Sequence, residues 1–345
     1  MRSLTKVICW SAPLAALALV VTPCSLAQGT PAVLEKPFSD SAPYLSRFDA
    51  LNNVLVFYRD IKDGAVAAAR PFAIGVHAGQ PIYPLKDFPG ALGFDVWGVT
   101  GNPGGGAILS GVLQIDGVKT RQLILAYDSS STLRSVWEVW PYHYHQIASD
   151  GLGNLYAFGH REDRGEGANE EDYPLLTKYS ANGEVLWQSA PRSWFPYETE
   201  VVATNAATGE HHLLVGRSSL KLYVATTREL LEFALDTGRL ASRRSLTVVL
   251  EDLGSTTHRA EITGLAETAD GSFLAQVRLW PKQKNTKPMH KVMARIAGDL
   301  ATCTPWPTPP GLPQEGIYLG IDNQNRVLFL AGGSQGKPIL RTRPL

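Results

Sequence analysis

The sequence is short of cysteine, of charge and of long apolar runs. Of its three cysteines, Cys9 and Cys24 fall in the first 27 residues, so a chain starting after Ala27 keeps Cys303 alone. That excludes an intrachain disulfide framework, and a chain of this size can bury enough core to do without one. Charged residues make up 19% of the chain and balance to a formal charge of zero. A nucleic-acid binder needs a basic excess that is missing here. Beyond Val21 no apolar run approaches the ~20 residues that cross a bilayer as a helix, so no transmembrane segment is expected. Catalytic signatures are absent as well: there is no G-x-S-x-G elbow and no H-E-x-x-H. Cys303 has no histidine near it in sequence and precedes Pro305 by two residues, a poor setting for a catalytic thiol.

What is present begins with an export signal. Arg2 and Lys6 give a positive start, Val7 to Val21 is mostly apolar, and Ser25-Leu26-Ala27 places small residues at −3 and −1 of a cleavage site. The apolar stretch is too short for an anchor and holds Pro13, and Cys24 follows Pro23, an unfavourable residue before a lipidation cysteine. The expectation is residues 1–27 as a signal peptide, cleavage near Ala27, and a periplasmic or secreted protein of residues 28–345.

The remainder reads as short strands joined by turns, with 32 glycines and 23 prolines as punctuation. A first unit is strand, Gly- or Asn-containing turn, strand. It runs from Gln146 to Ala157 through Asp150-Gly151-Leu152-Gly153-Asn154. It recurs from Ile262 to Ala275 through Asp270-Gly271, and from Tyr318 to Phe329 through Asp322-Asn323-Gln324-Asn325. A second unit is a hairpin with Asn182-Gly183, Thr237-Gly238 or Gly298-Asp299 at its tip. It recurs at 175–187, 230–240 and 293–300, with a looser copy from Leu123 to Val139. Two hairpins in succession make a four-stranded antiparallel sheet, repeated every ~45–65 residues, near the period of propeller blades.

This alternation of A-x-D-x-x-G-N-L-Y-A with L-L-x-x-Y/F-x-x-x-G-x-V/L resembles bacterial exported β-propellers of the NHL and PQQ-like repeat type. The resemblance spans most of residues 94–345 and is one of rhythm. It implies an all-β fold, a β-propeller of six blades of four antiparallel strands, as a single domain over residues 28–345. Units fall at 94–139, 140–191, 192–250, 258–305 and 314–345, and residues 28–93, the weakest match, supply one more. Val33 to Phe38 could complete the last blade and close the ring. Five or seven blades, a sandwich, or two β domains remain as alternatives.

Propeller topology, as the resemblance implies it, puts the lead-in to each innermost strand and the second-to-third connection on one face. The aromatic, histidine-bearing and longest charged segments all fall there, and loops on a rigid scaffold commonly carry function. Candidate ligand-binding residues are His143, His145, His160, Arg161, Glu200, His258 and Arg259. His143 and His145, two apart on a strand, point to the same side and are the candidate pair for a transition metal. The six carboxylates between Glu162 and Asp172 offer oxygen ligands for Ca2+, though without calcium-loop spacing. Lys282, Lys284, Lys287 and Lys291 could meet an anionic partner. Gly101-Asn102-Pro103-Gly104-Gly105-Gly106 reads as a turn, because a strand follows it where a phosphate cradle needs a helix N-terminus.

Function is expected to be non-catalytic binding of a small-molecule, glycan or protein ligand on the loop face, by a monomer. One alternative is a metal-assisted lyase or hydrolase on carbohydrate-like substrates that uses His143 and His145. Another is a quinone-dependent dehydrogenase, for which no cofactor constellation is legible, and fold alone does not confer function.

Overall fold

The structure is a computed structural model. It describes the backbone of strands at 45–49, 54–58 and 70–73, and residues 88–161, 173–195, 212–281, 290–306, 317–332 and 338–345 apart from short loop positions within those spans. The chain divides into Met1–Thr30 and Pro31–Leu345, and all that follows concerns the second unit. The expected signal peptide, Val33 to Phe38, the acidic loop Glu162 to Asp172, Glu200, and the Lys282 to Lys287 stretch lie outside the described residues.

Among the described residues, twenty-two strands make six antiparallel sheets, each a meander completed before the next begins. The first holds β1 (Leu45–Asp49), β2 (Val54–Tyr58) and β3 (Arg70–Ala73). The second holds β4 (Ala91–Asn102), β5 (Gly106–Ile115), β6 (Lys119–Tyr127) and β7 (Leu133–Glu138). The third holds β8 (Tyr142–Ser149), β9 (Leu155–Arg161), β10 (Pro174–Tyr179) and β11 (Val185–Pro191). The fourth holds β12 (His212–Val215), β13 (Lys221–Ala225), β14 (Glu229–Ala234) and β15 (Leu240–Ser245). The fifth holds β16 (His258–Glu267), β17 (Phe273–Pro281), β18 (His290–Ile296) and β19 (Cys303–Trp306). The sixth holds β20 (Ile317–Ile321), β21 (Arg326–Gly332) and β22 (Pro338–Pro344).

The first strands of the sheets touch in a cycle: β1 on β4, β4 on β8, β8 on β12, β12 on β16, β16 on β20, and β20 on β1. The fold is therefore a six-bladed β-propeller, with the first strand of each blade innermost. Four blades have four strands and two have three among the described residues. The Gly101–Gly106 segment closes the β4–β5 hairpin, and β5 starts at Gly106.

Apolar runs such as Ala107-Ile108-Leu109 and Leu123-Ile124-Leu125 are buried on both faces, because each middle strand is flanked by neighbouring blades. The core is accordingly a set of seams. Ile108 and Ile124 of the second blade meet Tyr144, Ile147 and Leu155 of the third. Phe158 and Leu176 of the third meet Leu222 and Leu231 of the fourth. Tyr223 and Leu230 of the fourth meet Phe273 and Val277 of the fifth. Leu274 and Met293 of the fifth meet Tyr318 and Val327 of the sixth. The outermost strands β7 and β15 instead alternate half-buried with exposed residues, as strands with one wet face do.

Four innermost strands carry a β-bulge at one shared position. The pairing with the second strand skips a residue between Val96 and Gly98, Tyr144 and Gln146, Ile262 and Gly264, and Tyr318 and Gly320. The extra residues are Trp97, His145, Thr263 and Leu319. Glycine follows the bulge in three of the four, at Gly98, Gly264 and Gly320. A Cβ on Gly98 would clash with Oγ of Ser110 in its own blade and stand 3.3 Å from the carbonyl oxygen of His145 in the next, and one on Gly264 would stand 2.8 Å from the Tyr318 ring of the next blade.

Candidate functional site

The bulges on β4 and β8 bring four rings together where the second and third blades meet. The Trp97 indole lies 4.6 Å from the His143 ring at 21°, and 5.0 Å from the His145 ring at 33°. His160 on β9 is the register partner of His143. Its ring lies 5.1 Å from that of His143 at 11°, and 4.8 Å from that of His145 at 18°. His143 thus stacks with Trp97 and with His160, His145 stacks with His160, and the Trp97 and His145 rings are tilted to each other. Trp97 keeps part of its surface exposed, while His143 and His145 are buried and His160 is half-buried.

Hydrogen bonds fix the imidazoles. Nε2 of His145 and Nδ1 of His160 are 2.9 Å apart. One of these nitrogens must donate and the other accept, so at least one of the two rings is uncharged while the bond stands. Nε2 of His143 lies 2.8 Å from Nε2 of Gln122, which donates as an amide does, so the imidazole nitrogen accepts. Gln122 sits on β6 with 2% of its surface exposed, and its Oε1 has no hydrogen-bond partner.

The backbone holds this arrangement tightly. Ser110 donates its hydroxyl to the carbonyl of Tyr144 at 2.8 Å, and Ser149 donates to the carbonyl of Gly101 at 2.6 Å, tying the two blades on either side of the bulges. Gly159, opposite Tyr144, comes so close to β8 that a Cβ there would lie 2.7 Å from the Tyr144 Cα. The Tyr144 hydroxyl donates to Thr177 Oγ1 at 2.9 Å and lies 2.9 Å from the Tyr179 hydroxyl. Burial raises the Tyr144 phenol well above its ordinary range, and raises Tyr179 to about 12.

Of the seven residues singled out by sequence, the structure gathers His143, His145 and His160. Arg161 is the next residue on β9 and pairs with Tyr142. His258 and Arg259 stand two blades away, at the start of β16 opposite Pro281 and Trp280. At the register position that holds His143 and His160 in the third blade, the fifth blade holds Glu261 and Arg278. There the Trp280 indole donates to Glu261, and the Arg278 guanidinium lies 5.5 Å from the Trp280 ring. For the metal expectation on His143 and His145, no group of three or more His, Cys, Asp or Glu among the described residues is arranged to hold an ion. No helix among the described residues is long and apolar enough to cross a membrane.

Trp97 and Gln122 were not legible as site residues. Trp97 sits mid-strand, with no neighbouring histidine in sequence. The signal that could have found it is the alignment of Val96-Trp97-Gly98 with Ile262-Thr263-Gly264 and Tyr318-Leu319-Gly320, which puts a tryptophan where the third blade has His145. Gln122 had no such marker.

No protein-family model matches the sequence, and no curated protein matches it. Solved structures of similar shape include the GH74 enzyme of Niastella koreensis, at 13% identity and TM-score 0.45 over 84% of this chain and 41% of that one. The GH74 xyloglucanase of Xanthomonas campestris matches at 14% identity and TM-score 0.47, over 87% of this chain and 45% of that one. A gluconolactonase of Xanthomonas campestris matches at 13% identity and TM-score 0.45, over 88% and 87%. The chain spans less than half the length of the two GH74 structures. At these values the likenesses carry no activity across to this chain.

Proposed function

We propose that this chain is an exported, non-catalytic propeller of the NHL/PQQ-like rhythm that binds a small ligand at the Trp97, His143, His145 and His160 cluster. The carrying observation is the ring arrangement itself. A part-exposed indole is stacked on one buried imidazole, His143, and tilted against a second, His145, at two bulges with a hydrogen-bonded support. Bulges re-aim side chains and collect at functional sites, and a site whose rotamers are locked by their neighbours is pre-organised for binding. Burying an amide and two imidazoles in one seam, with a third half-buried beside them, costs more than filling it with apolar side chains.

The test is a thermal-shift screen of metals, glycans and lignin fragments on the wild type, Trp97→Ala and His160→Ala. A ligand at a hundred times its Kd stabilises by about 2.7 kcal/mol, and both variants should lose that shift while keeping their β-sheet circular dichroism. A ligand that shifts all three proteins equally places the site elsewhere. A shift by a transition metal alone, lost with His143→Ala, would favour the metal-assisted lyase or hydrolase instead.

A further inference from the structure

We propose that the cluster takes a neutral, hydroxyl-bearing ring, a sugar unit of an uncharged glycan, with Trp97 as its platform. This rests on the reading of the cluster as a ligand site and adds the chemical class. Three observations on the residues carry it. First, Trp97 is the one member of the quartet with tryptophan's wide apolar face, and it stays partly exposed on an innermost strand while His143 and His145 are buried and His160 is half-buried. An indole presents a flat apolar surface of the kind that the C–H face of a sugar ring covers, and its preference for parallel packing is already expressed toward His143.

Second, the polar groups around the indole suit hydroxyls better than ions. The bond between His145 and His160 needs at least one uncharged ring. With His143 only 5.1 Å from His160, charging all three imidazoles would set like charges side by side in a buried seam. The described cation next in line is Arg161 at the end of β9, and the rest of the described cluster is indole, amide and imidazole. Amide and imidazole each present both donors and acceptors, as sugar hydroxyls do. Third, Oε1 of Gln122, whose Nε2 donates to His143, is buried and has no donor among the described residues. A buried acceptor left unpaired is costly, so it calls for one hydroxyl-type donor at that point.

The experiment titrates the full chain, freed of its first 27 residues, with cellohexaose, maltohexaose, a galacturonic acid hexamer and coniferyl alcohol, reading intrinsic tryptophan emission and calorimetric heat. At least one of the two neutral hexaoses is expected to bind saturably. Trp97→Ala should weaken that binding at least about tenfold, and Trp97→Phe less, because a smaller ring still stacks. Gln122→Leu should weaken it severalfold while leaving the stacking component. If only the acidic hexamer or the aromatic alcohol binds in a Trp97-dependent way, the sugar class is overturned and the ligand site stands. If no probe in this set or in the thermal-shift screen depends on Trp97, both fall. Neutral binding that ignores Trp97 overturns the platform.

Discussion

His145 is the extra residue of a bulge, and its ring direction follows from that. A flat strand would repeat every second residue, and that spacing alone predicts His143 and His145 on one side. In the structure both rings do reach Trp97 and His160, His143 from a register pair with His160 and His145 from the bulge beside it. At this scale the sharpest check is His160→Ala. It removes the partner of His145 Nε2 and the ring beside His143, and should cost about 1–3 kcal/mol, the range for a buried polar group losing its hydrogen bond. Denaturant unfolding measures it. His160→Asn, able to donate or accept at a similar reach, should recover part of that loss.

Asp270 makes a second residue-scale case. Hydrogen bonds from Thr268 and then from the Ser272 hydroxyl and N–H hold its carboxyl below the usual carboxylate range, with Arg295 adding attraction. A depressed carboxyl contributes stability above its unfolded value of about 3.9, and that contribution fades as pH falls below it. Asp270→Asn should therefore lower Tm at neutral pH, and the gap to wild type should narrow on acidification. A gap that stays constant with pH would show the effect to be one of turn geometry alone.

Elements meet through a device that repeats around the ring. The hairpin tip between third and fourth strands packs on the outermost strand of the preceding blade. Gly183, at φ +85°, lies under Trp137, and Gly238, at φ +66°, under Trp187; a Cβ at either would sit 2.5 Å from the indole. Where the fourth blade meets the fifth, Arg244 donates to the carbonyl of Gly298 at 2.5 Å in the corresponding place. Trp187 and Lys178 also both donate to the Leu235 carbonyl. Gly238→Ala combines a left-handed backbone with a clash, and should destabilise by about 1–3 kcal/mol. A double variant Gly238→Ala with Trp187→Ala relieves the clash but not the backbone strain. The coupling between the two changes in a double-mutant cycle measures the clash alone. Gly264→Ala, which meets Tyr318 on the innermost strand of the next blade, should cost a similar amount with no positive φ involved.

Across the molecule, the alkaline side of the stability curve is set by buried phenols. Burial raises Tyr144, Tyr156 and Tyr318 well above the ordinary range, with Asp150 adding to the effect at Tyr156, and raises Tyr179 and Tyr223 to about 12. A phenol raised in the folded state contributes stability below the unfolded value of about 10, and that contribution is lost as pH climbs from there. Each of these tyrosines belongs to a seam between blades, so their ionisation should open the ring cooperatively. Of the twelve tyrosines, the share of tyrosinate absorbance due to these five, isolated by Tyr→Phe variants, should rise together with loss of the sheet signal in circular dichroism, above about pH 10. A phenolate signal from these five that rises well before the sheet signal falls would place these rings in contact with water.

Sequence alone determined the class of fold and the run of its blades. Of the five units placed at 94–139, 140–191, 192–250, 258–305 and 314–345, three contain one described sheet whole, the first misses three residues of β4 and the fourth one residue of β19, and the sixth sheet lies in the stretch that matched the rhythm least. That much was legible because strand runs and turn glycines are local signals, set by backbone freedom and apolar patterning. His143, His145 and His160 were also visible, since histidine is rare enough in this chain to be noticed. Only the tertiary structure decided which of them meet. Trp97 and Gln122 join the cluster from another blade, at separations in sequence that no local pattern encodes, and Arg259 and His258 belong to a different blade altogether. The physical reason is that a bulge costs one residue of register, and register is settled by what lies on the neighbouring strand and the neighbouring blade.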